Sequence, residues 1–261
     1  MSQHAQPALS VAVEDGVATL TIRNPAKRNA MTPRMWRRLP AVLEQLAAEE
    51  AVRVLVLTGE GDTFCSGADI SALREDGAEE ARGLAAAAEE ALAAFPRPTL
   101  AAVRGHCVGG GCQLAVACDL RFAAEGALFG ITPAKLGIVY PASATRRLVS
   151  LVGPATAKYL LFSGELIGTG RALRTGLVDE VHPAGELGAR VAEFARLLAS
   201  RSRLTQAAAK EFANGLPDGP AGREREAHWE REARESREAA EGVAAFLERR
   251  PPVFTWPGTD G

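Results

Sequence analysis

Apolar positions recur along this chain with two different periods. Ser10-Val11-Ala12-Val13-Glu14 and Val17-Ala18-Thr19-Leu20-Thr21-Ile22 alternate with period two on either side of Asp15-Gly16. That pattern predicts a β-hairpin with an Asp-Gly turn, after a loose start over residues 1–9. Thr32 followed by Pro33 opens a helix, Thr as N-cap and Pro at the first helical position, running to about Glu50. Val52 to Thr58 is short and almost continuously apolar, as in a strand buried on both faces. The Ala- and Glu-rich stretch Glu79 to Phe95 predicts a helix that its small residues anchor weakly, and Pro96-Arg97-Pro98 stops it. Thr99–Val103 then reads as a strand, Cys112–Cys118 as a helix and Asp119–Ala123 as a strand. Gly126–Gly130 is a short extended piece, and Leu136–Pro141 is a loop. Helices are expected at Ser143–Val152, Pro154–Ser163 and Ala172–Thr175, the last before a strand at Leu177–Val181. Three more helices follow, at Leu187–Ala199, Arg203–Asn214 and Gly222–Arg249.

Strands that alternate with helices predict an α/β chain around a largely parallel sheet, with the helical C-terminal third as an appendage. The 261 residues suffice for one large domain with a small addition, and 47% hydrophobic residues is ordinary for a globular protein. A net charge of −2 gives no reason to expect nucleic-acid binding. No apolar run is long enough to span a membrane, and residues 1–10 lack the basic start and apolar core of a signal peptide, so a cytoplasmic location is expected. Cys65, Cys107, Cys112 and Cys118 form no C-x-x-C pair, and the four histidines do not fall at zinc-ligand spacing. Free buried thiols and no metal are expected. The Glu- and Arg-dense last helix reads as a solvated face with i,i+4 pairs. Its late apolar residues, Val243, Ala244, Phe246 and Leu247, are expected to pack on another part of the chain or on another subunit.

Two segments share one design of strand, tight glycine loop and helix start: Cys65-Ser66-Gly67-Ala68-Asp69 and Gly109-Gly110-Gly111-Cys112. Glycine lets the backbone approach a ligand closely, and a helix that starts there turns unpaired N–H groups toward it. Two such donors meeting on one thioester oxygen would stabilise an enolate or oxyanion. A P-loop is excluded because no Lys-Ser/Thr follows the glycines, and a dinucleotide fingerprint fails on spacing.

Phe64-Cys65-Ser66-Gly67-Ala68-Asp69-Ile70 and Gly105-His106-Cys107-Val108-Gly109-Gly110-Gly111-Cys112-Gln113-Leu114-Ala115 resemble the two signatures of the crotonase (enoyl-CoA hydratase/isomerase) superfamily. Cys118-Asp119, Asn24-Pro25 with Arg28-Asn29-Ala30-Met31, and Ala245-Phe246-Leu247-Glu248-Arg249-Arg250-Pro251 fit the same ordered pattern, which runs from about residue 10 to 254. The resemblance implies a crotonase-like ββα spiral core over residues 1–195 that carries the acyl-CoA site. Residues 196–261 would form a helical C-terminal region for trimerisation. It implies that Ala68 and Gly110 supply the two oxyanion N–H groups, and that coenzyme A enters as part of the substrate, with no separate cofactor. Lys27 and Arg28 are the cationic candidates for its phosphates, and Ala30, Ser66, Ala68, Asp69 and Ile70 line its path. The implied assembly is a homotrimer or a dimer of trimers, with no nucleic-acid or membrane partner.

Hydratases of the superfamily use two glutamates, and this chain has Gln113 and Pro133 at those positions. An amide can orient water but cannot take its proton near neutral pH. Isomerase carboxylates are absent as well, since Tyr140-Pro141 stands where one group carries its acid. Gln113, Thr132 and Tyr140 remain for the pocket. Thr132-Pro133-Ala134-Lys135-Leu136-Gly137-Ile138-Val139-Tyr140 resembles the matching stretch of bacterial methylmalonyl-CoA decarboxylases. Those carry a histidine at the position of Ala68 and a glutamate at that of Gln113. Decarboxylation suits a site without a base, because the breaking C–C bond supplies the electrons. The expectation is therefore an acyl-CoA enzyme that forms an enolate, with decarboxylation of a 2-carboxyacyl-CoA as the specific reaction. The alternatives are a hydratase, isomerase or acyl-CoA hydrolase without the usual glutamates, and a non-catalytic acyl-CoA binder. His106, Cys65 and Cys112 read as structural, and Asp69 as a residue that fixes its loop by hydrogen bonds.

Overall fold

The computed structural model describes residues 6–72 and 78–258. Strands β1 (Ala8–Glu14) and β2 (Val17–Arg23) form the expected antiparallel hairpin, with Asp15 and Gly16 both at positive φ in the turn. β1 starts at Ala8, inside the stretch expected to be loose, because Ala8 pairs with Arg23. Helix α1 (Pro33–Ala48) follows, and the Thr32 hydroxyl accepts the Met35 N–H as its cap. Its buried face carries Met35, Trp36, Leu39, Val42, Leu43 and Leu46.

β3 (Val54–Gly59), α2 (Ala78–Ala93), β4 (Thr99–Val103), β5 (His106–Val108), α3 (Gly110–Ala117), β6 (Leu120–Ala124) and β7 (Leu128–Gly130) come next. Then follow α4 (Ala142–Ser163), β8 (Ile167–Gly168), α5 (Thr169–Arg174), β9 (Glu180–His182), α6 (Leu187–Ala199), α7 (Arg203–Asn214), α8 (Pro220–Ser236) and α9 (Glu238–Glu248). Six strands form one mixed sheet in the order β1-β2-β3-β4-β6-β9, parallel from β2 onward. A second sheet, β5-β7-β8, stands beside it. Alternation along the central strands sends Leu55, Leu57, Ala101 and Val103 into the core with α1, α2 and α3. Val54, Val56, Leu100 and Ala102 point the other way, onto Leu187, Val191 and Ala195 of α6.

Several boundaries differ from the expectation for physical reasons. α3 begins at Gly110 and not at Cys112, so the glycines themselves form its first turn. The stretch before them includes β5, whose partners lie on β7. The two helices predicted on either side of Gly153 run on as α4, kinked where Gly153 takes a positive φ. The strand expected at Leu177–Val181 pairs only from Glu180, because Leu177 and Val178 leave the sheet to enter the core. The last predicted helix breaks at Arg237, which adopts a left-handed conformation between α8 and α9. All four cysteines are free and buried, as expected. Among the described residues, no helix is long and apolar enough to cross a membrane.

Candidate active site

The two glycine loops meet. Cys65 and Cys107 form a parallel bridge, with Cys65 N–H donating to the His106 carbonyl and Val108 N–H to the Cys65 carbonyl. The first loop is held on its other side as well, by Met31 N–H on the Gly67 carbonyl and Asp69 N–H on the Met31 carbonyl. These bonds leave Ala68 between two tethered neighbours. Gly109 donates to the Gly130 carbonyl and acts as the N-cap of α3. Gly110 is therefore the first residue of a helix, where an N–H has no intrahelical acceptor.

The two backbone nitrogens face one space. Ala68 N lies 3.9 Å from where a methyl on Gly110 would stand, and Gly110 N lies 3.3 Å from where one on Gly67 would stand. Among the described residues neither N–H donates to a protein acceptor. Both residues are half-buried, and two unpaired backbone donors beside a helix N-terminus suit an oxygen that carries negative charge. Gly67 and Gly109 both have positive φ, which suits the residue type found there.

A cavity of about 470 Å³ opens onto this pair, a volume typical of small-molecule sites. Its floor includes Gly109, Gly110, Gln113 and Trp36, and its walls include Thr132, Ile138 and Tyr140. The Thr132 and Tyr140 hydroxyls lie 3.8 and 3.7 Å from where a methyl on Gly109 would stand. The sequence candidates Ala68, Gly110, Gln113, Thr132 and Tyr140 are thus brought together around one cavity. Gln113 is only 8% exposed, and its amide nitrogen makes no hydrogen bond, as is also true of Trp36 Nε1. Orphaned buried donors are costly, so a polar group of a bound ligand would satisfy them. Burial pushes the Tyr140 phenol well above its usual range and keeps it a neutral donor.

At the cavity mouth, Ile70, Leu136 and Val139 are exposed apolar side chains. The coenzyme candidates cluster beside Ile70. Lys27 Nζ contacts Asp69 Oδ2 at 2.7 Å and Ser71 Oγ at 2.8 Å. Ser66 Oγ donates to the Lys27 carbonyl, and the Ala30 carbonyl accepts from Asn24 Nδ2. Asp69 holds its own loop through the Ser71 N–H and hydroxyl, and its carboxyl lies below its usual range through Lys27 and Ser71, although partial burial opposes this. Arg28 is exposed and makes no ion pair among the described residues.

His106, Cys65 and Pro133 do not line this cavity. His106 sits in β5, with its carbonyl tied to Cys65. Burial pushes the Cys65 thiol up to about 12, which leaves it protonated and a poor nucleophile. Pro133 is buried and carries no acid.

One pocket residue does not emerge from the sequence reading. Glu89 of α2 lines the cavity at 3% exposure, and its Oε1 meets Arg147 Nη1 of α4 at 2.6 Å. Burial pushes its carboxyl up to about 7, against the opposing pull of Arg147. The helical face that carries Ala85, Glu89 and Leu92 holds the only clue, a carboxylate in register with core-facing positions.

The chain is similar to known proteins over most of its length. A family model described as enoyl-CoA hydratase/isomerase matches residues 12–257. The crotonyl-CoA hydratase of Syntrophomonas wolfei is 35% identical over 246 residues, which cover 91% of this chain and 94% of that protein. The 2,3-dehydroadipyl-CoA hydratase of Escherichia coli is 35% identical over 255 residues, 94% of this chain and 98% of that protein. A crystal structure of enoyl-CoA hydratase from Bacillus anthracis superposes with a TM-score of 0.88 at 31% identity, over 94% of this chain and 98% of that one. The chain belongs to the enoyl-CoA hydratase/isomerase family and has the crotonase fold.

Proposed function

We propose that this enzyme binds an acyl-CoA thioester with its carbonyl oxygen between the Ala68 and Gly110 N–H groups, and that it decarboxylates a 2-carboxyacyl-CoA of the methylmalonyl-CoA type. The observation that carries this reading is the position of the Thr132 and Tyr140 hydroxyls, both within 4 Å of the Gly109 methyl position and so beside the N–H pair. Positions 113 and 133 meanwhile hold an amide and a proline. In this arrangement Thr132, Gln113 and the neutral Tyr140 donate to the substrate carboxylate and hold its C–C bond out of the thioester plane. As the bond breaks, its electron pair passes into the thioester and the charge collects on the oxygen at the N–H pair. Each such donor contributes on the order of 3 kcal/mol in the transition state. The α-carbon then takes a proton.

Arg28 and Lys27 would meet the coenzyme phosphates, with Ala30, Ser66, Asp69 and Ile70 along the path from the cavity. The exposed Val243, Phe246 and Leu247 of α9 support a subunit contact, in a homotrimer or a dimer of trimers.

A second reading, hydration of an enoyl-CoA, is favoured by the similarity to proteins named as hydratases. It would need a base other than the two usual glutamates. A mass-spectrometric panel of CoA esters separates the readings. Loss of CO2 from methylmalonyl- or ethylmalonyl-CoA, strongly reduced in Tyr140→Phe, is the expected result. Hydration of crotonyl-CoA at an ordinary enzymatic rate without CO2 loss would favour the second. Binding of CoA esters with no turnover would favour a non-catalytic binder.

A further inference from the structure

We infer that Glu89 is the proton-exchanging group of this cavity, the carboxyl that delivers a proton to the substrate α-carbon when the enolate collapses. The inference rests on the enolate reading above, but not on which bond breaks to form the enolate. Loss of CO2 leaves an electron pair on the α-carbon and requires one proton. Tyr140 is a weaker acid than Glu89, because burial holds its phenol high. Gln113, Thr132 and Trp36 have no acidic proton to give near neutral pH.

Glu89 has the placement this step needs. It is the acidic side chain among the described residues that line the cavity, and it shares that lining with Gln113 and Tyr140. Arg147 engages Oε1, and among the described residues Oε2 makes no hydrogen bond, so one carboxyl oxygen remains for a ligand. The groups that face Glu89 set its proton affinity. Arg147 lowers it, and Glu90 on the same helix, itself 3.2 Å from Arg147, raises it. Arg82 lines the same cavity. The face of α1 buried in the core beside α2 carries Met35, Trp36, Leu39, Val42, Leu43 and Leu46, and α3 brings the neutral Gln113. The balance leaves a carboxyl that is readily protonated at neutral pH, which also spares an incoming substrate carboxylate from meeting a fixed negative charge.

The Glu89 O–H bond breaks, a C–H bond forms at the α-carbon, the thioester C=O is restored from the enolate, and the Glu89 carboxylate regains its proton from water. By microscopic reversibility, the carboxylate form removes an α-proton from a saturated acyl-CoA and returns a solvent proton. That exchange needs no decarboxylation and tests Glu89 separately.

The experiment follows α-deuterium uptake into propionyl-CoA in D2O by NMR, with the wild type, Glu89→Gln and Arg147→Met. Glu89→Gln keeps a partner for Arg147, and its far-ultraviolet circular dichroism and melting curve report its folding. The expected result is exchange by the wild type that rises with pH through about 7. It should fall by roughly 10²-fold or more in Glu89→Gln, the scale of general acid–base catalysis. In Arg147→Met the rising limb should move to higher pH, because the charge that lowers the Glu89 pKa is gone. A merely structural Glu89 would not move that limb. Exchange by a folded Glu89→Gln at the wild-type rate would overturn the assignment, and so would absence of exchange in the wild type. Exchange without CO2 loss from any 2-carboxyacyl-CoA would remove the decarboxylation reading and leave Glu89 in its role.

Discussion

Gly111 lies against Cys65 with no room for a side chain: a methyl there would stand 2.4 Å from the Cys65 carbonyl oxygen and 2.7 Å from Cys65 Cβ. This contact clamps the start of α3 to the first glycine loop and so fixes the Ala68 and Gly110 nitrogens relative to one another. Gly111→Ala must push the two segments apart. The expected cost is about 1–3 kcal/mol of stability, measured by urea unfolding. Turnover should fall about 10²–10³-fold in the protein that still folds, as when an oxyanion donor is misplaced.

Tyr140 and Thr132 act through their hydroxyls in this account. Tyr140→Phe and Thr132→Val keep the shape of the cavity wall and should leave the melting temperature almost unchanged. Turnover of the decarboxylated substrate should drop roughly tenfold to a hundredfold, at about 1.4 kcal/mol per tenfold for a lost hydrogen bond to a charged group. Equal turnover in both variants would remove them from the chemistry.

Glu89 also leaves a mark on stability. Its carboxyl is raised from 4.5 to about 7 in the folded protein. The folded state therefore binds more protons than the unfolded state between those values, and this group's contribution is fully present below pH 4.5 and is lost as pH rises through 7. In Glu89→Gln that dependence disappears. Its stability relative to the wild type should be nearly level at acid pH and should improve by about 3 kcal/mol on the alkaline side. Urea unfolding at several pH values checks the sign.

The Asp69–Lys27 pair is largely exposed at the lysine end, so its direct contribution to stability is small, about 0–1 kcal/mol. Its effect is on the loop that carries Ala68. Asp69→Asn loses the charge that holds Lys27 and weakens the grip on Ser71. Turnover should fall severalfold with little change in global unfolding, and hydrogen exchange of the amides around Ala68 should quicken.

Phe246 and Leu247 are 82% and 74% exposed, and Val243 lies on the same helix. Burying such side chains in a subunit contact contributes about 1.5–3 kcal/mol each. Phe246→Glu with Leu247→Glu should lower the sedimenting mass from a trimer or hexamer toward a monomer. An unchanged mass would place the contact elsewhere.

Elements defined by local signals were legible in the sequence. The Asp15-Gly16 hairpin, the Thr32-Pro33 cap and the bounds of β4, α6 and α7 follow from turn chemistry, capping and periodicity. Elements defined by distant partners were not. β5 exists because Cys107 pairs with Phe129, and β9 is short because Leu177 turns into the core. The break at Arg237 has no glycine or proline to announce it.

The candidate site divides the same way. The two glycine loops were readable because close backbone approach demands small residues, and the resemblance of those loops to the crotonase signatures implied Ala68 and Gly110 within them. Glu89 was not, because Glu89-Glu90 in an alanine-rich helix resembles a solvated face. Its burial depends on Arg147, 58 residues further along the chain.

A crystal structure with a bound CoA ester locates the thioester carbonyl oxygen. That oxygen should lie within about 2.7–3.1 Å of both Ala68 N and Gly110 N, with the α-carbon turned toward Tyr140 and Glu89. A carbonyl oxygen that touches neither nitrogen, or an acyl group bound outside this cavity, would contradict this placement.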